Sequence, residues 1–124
     1  MNKDKVENFF NNQAKQISLF LKVEQMIRSI GEVTVEVKKS QISFGTKVKF
    51  AWVWLPRIWD SRPKNSIVLT FGVARHIENK QIVQAVEPYP GRWTHHIIIQ
   101  DKTDLNNNVY KWLHEAYAFS LNRK

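Results

Sequence analysis

Residues able to do chemistry are densest between Glu87 and Gln100, in the run EPYPGRWTHHIIIQ. An arginine, a tryptophan and two adjacent histidines follow a bend built from Pro88, Pro90 and Gly91. Imidazole titrates near neutral pH, so His95 and His96 are the candidate acid or base groups. A guanidinium offers anions a planar fork of donors, which makes Arg92 a candidate anion ligand. Arg92 to Ile99 is rich in β-branched and aromatic residues and reads as a strand. Alternation then puts Trp93, His95, Ile97 and Ile99 on one face, and Arg92, Thr94, His96 and Ile98 on the other. Neighbouring histidines on opposite faces cannot share one metal ion without a bulge, so no metal site is expected.

Several other chemistries lack their residues. There is no cysteine, which removes disulfides, thiolate metal sites and a cysteine nucleophile together. The four glycines are isolated, so no phosphate-cradling loop is present, and no cofactor is expected. No G-x-S-x-G elbow occurs. His114-Glu115 lacks the second histidine of a zinc-protease helix.

Charge points to a partner class. The chain carries +8 over 124 residues. Between Lys38 and Lys64, seven lysines and arginines stand against Asp60 alone, a net +6 of that total. Such a block attracts nucleic acid, another polyanion, a small anionic ligand or an acidic protein. Lysines on strand edges also serve solubility and block edge pairing, so the block by itself fits either role. Trp52, Trp54, Trp59 and Trp93 lie in or beside the sheet among Lys39, Lys49, Arg57 and Arg92. Stacking on exposed aromatics contributes ~1–3 kcal/mol per nucleobase, whereas buried tryptophans simply build core. Trp59, in the loop PRIWDSRPKN, is the one expected to be exposed.

The elements that must position these groups follow from hydrophobic period. A short helical segment near residues 4–11 is interrupted by Asn11 and Asn12, which favour turns. Gln13 to Ile30 has helical spacing through Ile17, Phe20, Leu21, Ile27 and Ile30. Gly31 is placed to end it in a left-handed cap. Strands are expected at Val33–Lys38, Gln41–Phe44, Val48–Leu55 and Ile67–Ala74, followed by Arg92–Ile99. In the third, Phe50, Trp52 and Trp54 are expected on one face. Arg75 to Val86 reads as irregular, leading to the turn at Glu87. Asp104 is placed as the N-cap of a last helix running to about Asn122. Arg123 and Lys124 suit the negative end of that helix dipole. The fold class is α+β: one domain over residues 1–124, an antiparallel sheet of four to five strands, and terminal helices packed on one face. No apolar run approaches the ~20 residues that span a bilayer. The N-terminal MNKDKVENFF lacks an apolar secretory core, so a cytoplasmic protein without membrane contact is expected.

Lys39–Phe44, Phe50–Trp54, Glu87–His96, and Asp104-Leu105 with Trp112–Tyr117, taken together in this order, resemble a bacterial domain-of-unknown-function family, number 5655. The likeness covers nearly the whole chain and implies a small α+β domain, alone or attached to others. It supplies no activity to transfer, and it draws attention to Lys39, Gln41, Arg92, Trp93, His95 and His96. The expected role is therefore a binding module whose ligand contacts are Lys39, Gln41, Trp59, Arg92, Trp93 and His95. A small enzyme using His95 or His96 as acid or base is the second role, and a homodimerising structural domain is the third.

Overall fold

A computed structural model of the chain describes residues 3–56 and 65–122. Trp59, the rest of the basic loop from Arg57 to Lys64, and the terminal Arg123 and Lys124 lie outside the described residues. Among the described residues three α-helices, α1 (Lys3–Phe9), α2 (Ala14–Arg28) and α3 (Asn107–Leu121), accompany six strands. These are β1 (Thr34–Val37), β2 (Ile42–Gly45), β3 (Lys49–Trp54), β4 (Ile67–Val73), β5 (Ile82–Tyr89) and β6 (Arg92–Ile99). Every pairing is antiparallel and the sheet order is β1-β2-β3-β4-β6-β5. The helices lie along one face, with α3 over β3 and β4 and α2 also on β4. No helix among the described residues is long and apolar enough to cross a membrane.

The sixth strand is the main departure from the sequence expectation. Residues 82–89 form β5, not an irregular segment, and the chain turns only at Pro90-Gly91. Two register shifts against β6, at Ile82/Gln84 and Val86/Tyr89, break the two-residue period that identifies a strand. Pro88 is tolerated because β5 is an edge and the residue falls in the second irregularity. Gly91 adopts φ 77°, the left-handed conformation that the position after a turn proline requires in a type II arrangement.

The core lies between helices and sheet. Ile67, Leu69, Phe71 and Val73 of β4 face the helices and are fully buried, as are Val53, Ile97 and Ile99 beside them. Each such side chain contributes roughly 1.5–3 kcal/mol through removal from water. Phe20, Val23 and Ile27 supply the α2 face, and Val109, Leu113 and Ala116 that of α3. Leu21, placed in the apolar stripe by its spacing, is instead 51% exposed on the outer side of α2.

At the helix termini the break at Asn11 and Asn12 is as expected, whereas the ends assigned to Gly31 and Asp104 are not. Asn11 and Asn12 both take left-handed φ, 52° and 59°, and so separate α1 from α2. α2 ends through Ser29, which keeps right-handed φ, so Gly31 is no left-handed cap. A Cβ at Gly31 would stand 2.3 Å from the Tyr117 hydroxyl, so the residue is small to admit that ring. The hydroxyl donates to the Glu32 carbonyl at 3.1 Å. The N-cap of α3 is Asn106, whose side chain accepts from Val109 N–H at 3.1 Å. Asp104 belongs to the 3-10 turn before it and accepts from the Gln100 and Asp101 amides.

Candidate functional site

Among the described residues one face of the sheet carries no helix, and lateral register shows what it does carry. Glu36, Ser43, Trp52, Thr70, His96 and Gln84 are successive partners across all six strands and form one row. Glu36 binds Lys49 from two strands away at 2.7 Å and Lys38 at 3.6 Å. The Lys49 hydrogen bond, then the Lys38 charge, holds the Glu36 carboxylate below its ordinary range. Thr34, Glu36, Ser43, Lys47 and Lys49 line a shallow groove of about 470 Å³ at this corner.

Arg92 continues the basic track. Its Nη2 donates to the Lys49 carbonyl at 3.2 Å, and the guanidinium lies 5.9 Å from the centre of the Trp52 ring. Arg92 lies over Gly72: its Nε is 3.7 Å from where a Cβ on that residue would stand, an ordinary contact. His96 shares a 2.6 Å hydrogen bond between its Nδ1 and the Thr70 hydroxyl, and burial holds its pKa below the ordinary value. Tyr89, the register partner of Arg92, is 59% exposed at the far edge.

Trp52 and Trp54 are on this face, half-buried, but Phe50 is not. Phe44 pairs with Ala51 while Gly45 pairs with Lys49, leaving Phe50 as an extra residue in β3. That bulge turns the Phe50 ring towards the helices, where it meets Tyr117 edge-on at 5.6 Å.

His95 lies on the opposite face, as strand alternation requires, and is wholly buried. It sits inside an aromatic ladder running Trp93, His76, His95, Phe71, Trp112. Its Nε2 accepts from the Ile77 N–H at 3.0 Å, so the neutral ring must carry its proton on Nδ1. That Nδ1 makes no well-formed hydrogen bond, although the Phe71 backbone beside it still favours a proton there. Burial first, then the neighbouring His76, pushes the His95 pKa down to about 4.

The residues singled out from sequence are therefore divided among separate places. Arg92 and His96 share the helix-free face. Trp93 and His95 are on the helix-bearing face, Trp93 half-buried and His95 fully buried. Lys39 and Gln41 occupy the β1–β2 turn, level with the Ile97–Ile99 end of β6, whereas Arg92 begins that strand. Lys39 instead joins Lys5, Asn8, Asn11 and Lys38 around a cleft of about 360 Å³ beside α1. Trp59 lies outside the described residues. Sequence groups Lys49 with Arg92 and Trp52, but it does not show Glu36, Lys38, Thr70 and Tyr89 as partners in the same surface. Their common parity was visible within single strands, but not the register that joins the strands. No cluster of three or more metal-ligating side chains occurs among the described residues.

The class defined by this structure is an α+β domain with one helical layer over an antiparallel sheet whose other face carries Lys49, Arg92, Trp52 and Trp54. Residues 6–120 match the family described as Domain of unknown function (DUF5655), and the chain belongs to that family. No curated protein and no solved structure shows significant similarity to it.

Proposed function

We propose that this protein is a binding module for anionic ligands and that the helix-free sheet face is its contact surface. The observation that supports it most is the track formed by Lys38, Lys49 and Arg92. These three cations, from or beside β1, β3 and β6, are tied together through Glu36 and the Lys49 carbonyl, and Trp52 lies beneath the last. Three positive charges against one carboxylate leave this cluster net positive, and Lys47 is exposed beside it. Retention on heparin and nucleic-acid columns should be strong at low salt and fall steeply as salt rises. Lys49→Ala should reduce the dependence of log affinity on log salt by about one phosphate contact. Wild-type protein that passes both columns unretained at low salt removes the proposal.

A second role, a small enzyme, draws on the 2.6 Å Thr70–His96 pair. Complete burial takes His95 out of reach of a substrate and leaves His96 as its acid or base. An NMR titration showing His96 locked in one protonation state from pH 5 to 8, with and without added anions, would dispose of it. Homodimerisation through a sheet edge is the third. β5 carries Pro88 and two irregularities, so pairing between copies would have to use β1, and sedimentation velocity tests it.

A further inference from the structure

We infer that the anion taken by the helix-free face is a single-stranded nucleic acid lying across the strands. The inference rests on the anion-binding role proposed above and adds the class of polymer. Spacing is the first reason. Lys38 adjoins β1, Lys49 opens β3 and Arg92 opens β6, with β2 and β4 between them in the sheet. Across the sheet the three anchoring strands span about 19 Å at ~4.8 Å per strand, and Lys38 is also displaced along the strand direction from Lys49 and Arg92. The Lys38 and Lys49 heads converge on the one Glu36 carboxylate, while Arg92 begins two strands beyond Lys49, so a polymer with repeating charge reaches both ends of the track.

Aromatic placement is the second reason. Trp52 and Tyr89 belong to the same face and flank Arg92 from β3 and β5, about 14 Å apart across three strand steps. Tyr89 is 59% exposed, so its ring is available to a flat partner. Val86, also on this face, is 40% exposed beside it. Sulfated polysaccharides carry charge but no planar ring to stack. Duplex nucleic acid carries rings but keeps their faces inside its own stack. A single strand offers both a repeating anion and open base faces, the combination that basic grooves with aromatic platforms recognise.

The test compares three polymers of similar charge: a fluorescent oligothymidylate, the corresponding duplex, and heparin. Anisotropy with wild-type protein should rank the single strand first. Tyr89→Ala, a change at an exposed position that should not disturb folding, should weaken the single strand about 5- to 150-fold, the worth of one stacked base. Its affinity for heparin should stay within about twofold, because no charge is removed. Tyr110→Ala, an exposed tyrosine on α3, serves as the control and should leave all three affinities unchanged. Equal affinity for the three polymers, or a Tyr89→Ala protein that holds the single strand as tightly as wild type, overturns the single-strand assignment and leaves anion binding standing. Failure of all three polymers to bind at low salt overturns both.

Discussion

Mild acid should destabilise this protein through His95. The ring is fully buried, stacked on Phe71 at 5.0 Å, and accepts from the Ile77 N–H. Protonation at Nε2 turns that acceptor into a donor facing another donor and places a charge among aromatic rings. Burial, with His76 alongside, holds the folded pKa at about 4, against 6.5 for an ordinary histidine. At about 1.4 kcal/mol per tenfold change in proton affinity, this corresponds to about 3 kcal/mol. The sign follows from proton counting. Between the two pKa values the unfolded chain binds the proton and the folded chain does not. Stability is therefore complete above pH 6.5 and is lost as pH falls towards 4, where the histidine contribution is exhausted. His96 is also depressed by burial and acts in the same direction. Urea denaturation at intervals from pH 7.5 to 4 measures the loss, and a His96→Gln background isolates the His95 part. Two-dimensional NMR of the imidazoles provides an independent reading that needs no variant at position 95. It should show His95 neutral and protonated on Nδ1 throughout the range above pH 5. A His95 that titrates near 6.5 in the folded protein, or a urea midpoint unchanged between pH 7 and 4.5, would refute the reasoning.

Three substitutions test the local geometry. Gly31→Ala should cost about 1–3 kcal/mol by forcing the Tyr117 ring from its place, and combining it with Tyr117→Phe should recover part of that loss in chemical denaturation. Gly91→Ala should cost about 1 kcal/mol and Gly91→Val more, because φ is 77° there; thermal midpoints should fall in that order although nothing stands within 4 Å of the position. Thr70→Val should destabilise by about 1–3 kcal/mol by leaving the half-buried His96 Nδ1 without this hydroxyl, and the NMR shift of that nitrogen should change.

Much of the architecture was legible because burial has a period. Arg92–Ile99 alternates as its residue types require, with His95, Ile97 and Ile99 buried and His96 and Ile98 only partly so. The two long helices fall where 3.6-residue spacing puts them, with boundaries shifted by a residue or two. β5 was illegible for a physical reason: its register shifts break the two-residue period, and its edge position removes the need for an apolar face. Phe50 was misplaced for the same reason, since one extra residue in β3 reverses the face of its side chain.

What the residues alone determined was the fold class, the opposite orientation of His95 and His96, and a net positive chain lacking thiol chemistry. These depend on local period and composition, which travel with the sequence. Which distant groups meet was decided by strand register and sheet order. β6 enters between β4 and β5, so Arg92 comes to lie over Gly72 and reaches Lys49 and Trp52, while His95 is carried under the helices beside Phe71. Register reflects the packing of the whole sheet against its helices, and no short stretch of the chain contains it.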